Sequence, residues 1–356
     1  MASLSACGSD NNGATTTTTT AASAGGGATT SAIACGSGTL SMAGSTAQTN
    51  AISQWTKDYQ GACSGATINY TANGSGAGVT SFTNGQAQVA GSDYALSATQ
   101  QPLANTHCGA GSTAIDIPAV PGAIAVIFNV PGVTSLNLSA KNLAGIFDGT
   151  ITNWNDPAIA ADNTGVTLPN LPIQTFHRAD TSGTSYNFSN YLHNLDPSFA
   201  AANKQWPGTA GTGETGSSAV AAKVKATSGS IGYAEYSYAK ANSLSYAEVS
   251  NAAGTFVPLT QANATNFIAQ AKVAQTGSDT RLNFDYTYAN ASAYPNVLVT
   301  YEIACSSGNG ANAALIKGFL GYIVSPTAQG ELTGLGYVPL PASIAATDAT
   351  VISSLS

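Results

Sequence analysis

The chain has 356 residues, of which 43% are hydrophobic, and its 10 Lys and Arg residues stand against 17 Asp and Glu residues, for a formal net charge of −7. So few basic residues leave no positive face for nucleic acid or for an anionic membrane surface, which argues against both classes of partner. The acidity does not exclude an anionic ligand, because one arginine and the N-termini of helices create local positive potential. The length suits one large or two medium-sized domains, and we expect two.

The first 34 residues predict export and tethering rather than a folded unit. Leu4 to Cys7 has the small-residue pattern that precedes the modified cysteine of a bacterial lipoprotein. The basic and long apolar segments of a complete signal peptide are missing before it, so the alternatives are a truncated signal and a chance match. We expect Cys7 to carry a lipid anchor, followed by a disordered tether rich in Thr, Ala and Gly over residues 13–34.

Four further cysteines remain, at Cys35, Cys63, Cys108 and Cys305. An even number in an exported chain predicts two disulfides, and no Cys-x-x-Cys spacing indicates metal or redox chemistry. The alternative is buried free thiols. The sequence does not fix the connectivity, but Cys35 lies near the start of the first predicted strand and Cys63 at the end of the first predicted helix. This placement favours the pairs Cys35–Cys63 and Cys108–Cys305.

Two polar turns follow the first predicted strands. Residues 38–42 predict a strand, and residues 44–48 form a Gly-Ser-Thr turn ahead of a helix that contains Trp55. The alternating strand at residues 66–71 leads into the glycine-rich turn at residues 74–78. Each turn taken alone is an ordinary helix cap.

Two more predicted strands end in charged residues. Asp93 ends one of them, and residues 171–176 predict another that leads into the run from Arg178 to Ser185, ahead of an aromatic-rich helix. Arginine offers a planar fork of donors, glycine allows close backbone approach, and the free N–H groups of a helix N-terminus attract anions. The four strand-end turns together predict an anion-binding site.

The three histidines do not indicate catalysis. They are His107, His177 and His193, and their spacing to other residues matches no metal site. His177 directly precedes Arg178 on a predicted strand, so the two side chains point to opposite faces. The hydroxyls have no general base among them, which predicts hydrogen-bond donors rather than nucleophiles; these hydroxyls belong to Ser45, Thr46, Ser75, Ser182 and Thr184. We expect no catalytic residue, metal or cofactor.

The order of these motifs resembles the phosphate-binding protein of bacterial phosphate ABC transporters. The resemblance covers roughly residues 36–340 and includes the four turns described above, the segment from Ile146 to Pro157, and Gly229 to Tyr233. The Ile146–Pro157 segment is particularly specific. Its Trp154 predicts core packing rather than ligand contact.

The resemblance implies a two-lobed α/β fold of the type II periplasmic-binding-protein class, with an anion cleft between the lobes. Residues 35–124 and 302–356 would form lobe I, and residues 125–301 would form lobe II. The longest apolar runs, around residues 123–128 and 297–301, are too short to span a bilayer and predict buried strands. In the family these runs are the two hinge crossings, and ligand binding closes the hinge.

The resemblance also implies the ligands of one phosphate ion. We expect Asp180 to orient Arg178, and Asp93 to accept a hydrogen bond that phosphate can donate but fully ionised sulfate cannot. Ala47 stands where the family often has an aromatic residue, but a backbone N–H contact does not depend on the side chain. The predicted phosphate site consists of Ser45, Thr46, Ala47, Ser75, Asp93, Arg178, Ser182, Gly183 and Thr184.

The implied function is a high-affinity receptor that passes inorganic phosphate to a membrane-embedded ABC permease and is not an enzyme. We expect a monomer outside the cytoplasm, held to the bacterial cell membrane only by its lipid anchor. Two alternatives stay open: a receptor for another tetrahedral oxyanion, and a secreted phosphatase or host-interaction lipoprotein on the same fold.

Overall fold

A computed structural model describes residues 33–276 and 279–356 of the chain. The predicted lipid-anchor segment with Cys7, and the predicted tether up to residue 32, lie outside the described residues. The rest forms a mixed α/β fold organised around one long sheet.

The strands of the described residues include two long central ones, which lie next to each other in the sheet. In chain order the strands are β1 Gly38–Gly44, β2 Ala66–Ala72, β3 Val89–Ser92, β4 Ala114–Asn129, β5 Asn137–Leu138, β6 Gln174–Arg178, β7 Thr212–Glu214, β8 Ser230–Glu235, β9 Ser245–Tyr246, β10 Glu248–Ser250, β11 Phe256–Val257, β12 Lys272–Thr276, β13 Asp279–Asn283 and β14 Val297–Cys305.

The helices mostly connect these strands and cover the sheet. In chain order they are α1 Thr49–Ala62, α2 Ser75–Thr83, α3 Gln101–Cys108, α4 Ala140–Phe147, α5 Pro157–Asp162, α6 Gly183–Leu195, α7 Ser217–Ala226, α8 Tyr236–Asn242, α9 Gln261–Ile268, α10 Ala313–Ile323, α11 Pro326–Leu335 and α12 Ala342–Ser353. Among the described residues, none of these helices is long and apolar enough to cross a membrane.

The strand order of the main sheet is β2-β1-β3-β14-β4-β8-β6-β7, and β4 links its two halves. The register pairs Ala123 of β4 with Val297 of β14, and the next residue, Ile124, with Glu235 of β8. Both central strands are almost continuously buried and apolar, as expected for strands covered on two faces.

Separate hydrophobic cores lie on the two halves of this sheet. One contains Trp154, Phe188 and Tyr233, and another contains Trp55 and Phe319. The predicted two-lobed α/β fold is therefore confirmed. The lobe bounds stay a prediction: the expected boundary after residue 124 lies one residue beyond the change of partner on β4, and the one after residue 301 lies inside β14.

Local sequence explains most of the elements around the sheet. The helix α1 buries Ile52, Trp55 and Tyr59, which recur at helical spacing. Asp156 caps α5 by accepting the Ala158 N–H at 2.8 Å, and proline occupies the first helical position. Trp154 is fully buried as predicted, and its Nε1 donates to the Gly229 carbonyl at 2.9 Å.

One predicted strand is shifted along the chain. The sequence favours residues 171–176, whereas β6 begins at Gln174 and continues to Arg178. Pro172 has no N–H to donate to a ladder, and it takes part only in an isolated bridge with Asn153. The shift makes Arg178 the last residue of the strand itself.

The structure contains two disulfides, Cys35–Cys63 and Cys108–Cys305, with Cα–Cα distances of 5.4 Å in each. These are the pairs that the sequence favours. The first joins the chain just before β1 to the end of α1, and the second joins the end of α3 to the end of β14.

Candidate anion-binding site

Residues 178–184, which we call the Arg178 turn, connect β6 to α6. Arg178 is only 2% exposed. Its Nε donates to Asp180 Oδ1 at 2.7 Å, and its Nη2 forms an ion pair with Asp180 Oδ2. Asp180 Oδ1 also accepts the Gly216 N–H at 3.1 Å. The Asp180 carboxylate therefore holds the guanidinium through Nε and Nη2. The third nitrogen, Nη1, donates to hydroxyl groups instead.

The ion pair keeps both groups charged despite their burial. Burial alone would lower the pKa of Arg178, but the hydrogen bond and charge of Asp180 outweigh it and raise that pKa. Burial alone would likewise raise the pKa of Asp180, but Arg178 lowers it below its ordinary value. Arg178 is a permanent, oriented cation at this site.

The N-terminus of α6 supplies further donors. Ser182 is the N-cap residue, and its Oγ accepts the Ser185 N–H at 3.1 Å, so the hydroxyl proton of Ser182 stays available. The first N–H groups of a helix, here those of Gly183 and Thr184, have no intrahelical acceptor. Arg178 Nη1 donates to Thr184 Oγ1 at 3.2 Å. The turn thus concentrates donors around one helix end, which attracts anions.

A second group of residues surrounds a buried carboxylate. We call it the Asp93 wall, and it consists of Ser45, Ser75, Asp93 and Thr300. Asp93 Oδ1 accepts from Ser45 Oγ at 2.5 Å and from Thr300 Oγ1 at 2.7 Å. Asp93 Oδ2 accepts from Ser75 Oγ at 3.1 Å. Three hydroxyls therefore donate to one carboxylate that is 3% exposed.

The hydroxyls of the Asp93 wall compensate only part of the cost of burying a charge. Burial and then the nearby charge of Glu235 raise the pKa of Asp93, the three hydroxyl hydrogen bonds oppose them, and the resulting pKa is about 6. Asp93 is consequently ionised at neutral pH and acts as an acceptor.

The Arg178 turn and the Asp93 wall are in direct contact. A Cβ atom at Gly183 would lie 2.4 Å from Asp93 Cβ and 2.5 Å from Asp93 Oδ2, so only glycine fits there. Gly74 has a φ of 95°, and a Cβ at that position would lie 2.4 Å from Asp180 Oδ2. Asn187 Nδ2 of α6 donates to the Asp93 carbonyl at 2.7 Å. These contacts place the donor-rich helix end against the buried acceptor.

Thr46 joins the same region from the turn between β1 and α1. Its Oγ1 lies 3.1 Å from Ser217 Oγ and accepts the Ser217 N–H at 3.2 Å. Arg178 Nη1 donates to Ser217 Oγ at 3.0 Å. Tyr238 Oη donates to the Thr46 carbonyl at 2.8 Å. Thr46 is therefore linked to Arg178 through a single hydroxyl.

The sequence is similar to known proteins over most of its length. Residues 29–327 match the family model described as a PBP superfamily domain. Phosphate-binding protein PstS 3 of Mycobacterium leprae is 39% identical over 358 residues, covering 96% of this chain and 92% of that protein. PstS 2 of Mycobacterium tuberculosis is 39% identical over 90% of this chain and 88% of its own length. The PstS protein of Xylella fastidiosa is 34% identical over 82% and 79%.

The chain belongs to the PstS family of phosphate-binding proteins. Solved structures share the fold at lower identity. A high-affinity periplasmic phosphate-binding protein with bound phosphate has a TM-score of 0.70 at 22% identity, over 87% of this chain and 92% of its own. A phosphate-binding protein from Stenotrophomonas maltophilia has a TM-score of 0.66 at 19% identity, over 88% and 93%.

The structure brings the residues predicted for this PstS family site into one region. For several of them the hydrogen-bond geometry identifies the donor and the acceptor. The Ser45 hydroxyl donates to Asp93, and its oxygen accepts the Ala47 N–H at 3.0 Å. The Ser75 hydroxyl donates to Asp93 Oδ2 and accepts the Asp93 N–H at 3.1 Å. The side chains of Ser45 and Ser75 thus serve Asp93 first. Their role as direct ligands of an anion stays a prediction.

Three residues of the site were not predicted from the sequence: Ser217, Glu235 and Thr300. Ser217 begins α7 after Gly216, whose φ is 81°, and this repeats the Gly-Ser start of α2. Glu235 ends the buried strand β8, and its Oε1 accepts from Thr184 Oγ1 at 2.6 Å. Thr300 interrupts an apolar strand. A repeated Gly-Ser pair, and a polar residue within or at the end of a buried strand, were the available signals.

The rings of the three histidines pack away from these hydroxyl clusters, although His177 Nδ1 lies 3.0 Å from the Arg178 carbonyl oxygen. His177 stacks on Trp206 with ring centroids 5.7 Å apart, and His193 Nδ1 lies 2.8 Å from the Phe199 carbonyl oxygen. His107 packs edge-on against Phe82. Within residues 33–276 and 279–356, no cluster of three or more His, Cys, Asp or Glu side chains is arranged to hold a metal ion.

Proposed function

We propose that the chain is a high-affinity receptor for inorganic phosphate, which it binds between the Arg178 turn and the Asp93 wall. The observation that supports this most directly is the contact of the α6 N-terminus at Gly183 with Asp93. This contact sets a surface rich in hydrogen-bond donors opposite a single acceptor, the Asp93 carboxylate. Membership of the PstS family indicates that the ligand is phosphate.

The donors proposed for the anion are one guanidinium, a helix N-terminus and several hydroxyls. The Arg178 guanidinium and the Gly183 and Thr184 N–H groups would contact phosphate oxygens together with the Ser182 hydroxyl. Ser75 and the Thr46–Ala47 backbone would complete the shell from the other side. Asp93 would accept the proton that mono- and dibasic phosphate still carry. Ser45 contributes through its hydrogen bond to Asp93.

Binding would close two lobes around the ion. We propose that lobe I comprises residues 35–124 and 302–356, and that lobe II comprises residues 125–301. The hydrogen bonds from Asn187 to the Asp93 carbonyl and from Tyr238 to the Thr46 carbonyl then connect the lobes beside the site. A closed form held by such contacts is expected for hinge-type receptors.

The receptor would act outside the cytoplasm as a monomer and deliver phosphate to an ABC permease. Two disulfides support an oxidising compartment. A related structure from Clostridium perfringens is described as a putative phosphate ABC transporter substrate-binding protein with bound phosphate. Attachment to the membrane through a lipid on Cys7 is part of the proposal, and mass spectrometry of protein from its own host tests it.

The proposed function is tested by calorimetric titration of protein stripped of endogenous ligand. We expect one phosphate per chain and a dissociation constant of about 1 μM or lower, equivalent to about −8 kcal/mol. A lack of heat and of thermal shift at millimolar phosphate contradicts the proposal. Turnover of phosphate esters above background would favour a hydrolase instead, and equal affinity for sulfate would favour a general oxyanion receptor.

A further inference from the structure

The carboxylate of Asp93 is buried, and among residues 33–276 and 279–356 it forms no ion pair with a Lys, Arg or His side chain. Arg178, the guanidinium of the Arg178 turn, is paired with Asp180. The groups that stabilise the Asp93 charge directly are three hydroxyls, from Ser45, Ser75 and Thr300. Each hydrogen bond to a carboxylate favours its ionised form.

Thr300 differs from the two serines because it comes from the interior of a central strand. It is fully buried in β14, between Val299 and Tyr301, in a mostly apolar strand that also carries the buried Glu302. The pairing of β14 with β4 has a register shift between Thr300 and Tyr301. Bulges of this kind redirect side chains next to functional sites. Here the Thr300 Oγ1 lies 2.7 Å from Asp93 Oδ1.

The two oxygens of Asp93 have different tasks. Oδ1 accepts from both Ser45 and Thr300, which uses the acceptor directions of that oxygen. Oδ2 accepts only from Ser75 among the described side chains, and it lies 2.5 Å from the position of a Cβ atom at Gly183. An ionised carboxylate has about four acceptor sites, so one remains on Oδ2. That site faces the N-terminus of α6.

We propose that Thr300 is a positioning residue that fixes Asp93 as an ionised acceptor and so sets the discrimination between oxyanions that carry a proton and those that do not. By donating to Oδ1, Thr300 keeps Oδ2 directed at the anion and makes protonation of Asp93 less favourable. A protonated Asp93 would donate to sulfate as readily as an ionised Asp93 accepts from phosphate. This inference rests on the proposed phosphate site.

Other titratable groups near Asp93 act in the opposite direction or at a distance. Glu235 at the end of β8 raises the pKa of Asp93 through its negative charge, whereas burial raises the pKa of Glu302 of β14 itself to about 8. Burial raises the pKa values of Tyr70 of β2, Tyr94 after β3 and Tyr238 of α8, and the charge of Asp93 adds to this rise. Arg178 is paired with Asp180. Loss of the Thr300 donor therefore leaves Asp93 easier to protonate.

The test is competitive titration of phosphate and sulfate from pH 5 to 8.5 in the wild type and in Thr300→Val, which keeps the side-chain shape without the hydroxyl. We expect the loss of phosphate preference in Thr300→Val to begin roughly one pH unit higher than in the wild type. At pH 7.5 the phosphate-to-sulfate affinity ratio should fall roughly five- to tenfold, because sulfate binds better. Thr300→Ser, which restores the donor, should return the ratio to within twofold of the wild type.

The affinity ratio is internal to each variant, so reduced stability does not imitate the effect. If Thr300→Val does not fold, Ser45→Ala removes the other donor to Oδ1 and should shift the same profile upward. A folded Thr300→Val or Ser45→Ala protein with an unchanged ratio at every pH overturns the role of these hydroxyls while the phosphate receptor stands. A wild type that binds no phosphate overturns both.

Discussion

The Arg178 turn and the Asp93 wall each bury one charge at the same site, but they stabilise it by different means. Arg178 faces a full opposite charge, because Asp180 binds its Nε and Nη2. The carboxylate of Asp93 is stabilised instead by hydrogen bonds from three neutral hydroxyls. The pKa values follow this difference: Arg178 and Asp180 are held in their charged forms, whereas the pKa of Asp93 rises to about 6.

The difference separates two tasks of an anion receptor. A permanent cation whose orientation is fixed by a carboxylate supplies affinity for any anion that fits. A carboxylate that is stabilised by hydroxyls alone has a pKa closer to neutral pH. As an acceptor it favours ligands that can donate a hydrogen bond. We therefore expect mutations in the Arg178 turn to change affinity, and mutations in the Asp93 wall to change selectivity.

The largest expected effect is that of Arg178→Ala. It removes the permanent cation of the site, so phosphate binding should weaken by roughly 2–4 kcal/mol, or about 30- to 900-fold. Arg178→Lys should recover only part of the loss, because an ammonium group lacks the planar fork. The matched control is Lys223→Ala, which removes a cation whose side chain is 55% exposed. Near-wild-type affinity in Arg178→Ala, by calorimetry, would place the anion elsewhere.

The Asp93→Asn variant should affect selectivity more than affinity. An amide can donate to sulfate, so the preference for phosphate should narrow by about 1.5–3 kcal/mol at pH 7.5. In the wild type, sulfate binding should strengthen as the pH falls through the pKa of Asp93 near 6, because the protonated form donates. Asp93→Asn should lack this pH dependence.

Competitive titration at several pH values measures both effects, with the exposed Asp285→Asn as the control. An unchanged phosphate-to-sulfate ratio in Asp93→Asn would show that the Asp93 wall does not select the ligand.

The smallest expected effect concerns Lys204, which contacts both the Arg178 turn and residues that follow Asp93 in sequence. Its Nζ donates to Gln100 Oε1 at 2.9 Å and lies 3.7 Å from the ring centroid of Tyr94. Its carbonyl accepts the N–H of Ser182 in the Arg178 turn at 2.8 Å. Lys204→Met should weaken phosphate binding by about 0.5–1 kcal/mol, mainly through faster release, because it loosens the closed form.

Stopped-flow release of phosphate measures this, with Lys225→Met as the control. An unchanged release rate in Lys204→Met would mean that the contact of Lys204 with Gln100 and Tyr94 does not help to hold the site closed.

Local pattern allowed much of the architecture to be predicted. The helical spacing of Ile52, Trp55 and Tyr59, the alternation in β2 and the apolar runs of β4 and β14 each reflect a face that must be buried. The charged residues at strand ends, Asp93 and Arg178, could also be predicted, because each belongs to a short sequence motif. The apolar pattern places the start of β6 too early, because Pro172 has no N–H with which to join the ladder of the sheet.

The detailed chemistry of the site depends on residues distant in sequence. Thr300 lies 207 positions from Asp93, and Ser217 lies 171 positions from Thr46. No local pattern reveals which hydroxyl gives its proton to which oxygen. For that reason the hydrogen bond from Ser45 to Asp93 could not be predicted, and the role of Ser45 as a direct ligand of the anion stays a prediction.

The Cys108–Cys305 disulfide spans 197 positions along the chain. It closes the polypeptide into one covalent ring that contains α6, the Arg178 turn and most of β4 and β14. A protease that cuts any single peptide bond inside this ring opens the backbone but releases no fragment. A nicked receptor would therefore keep Arg178 and Asp93 on one covalently linked molecule.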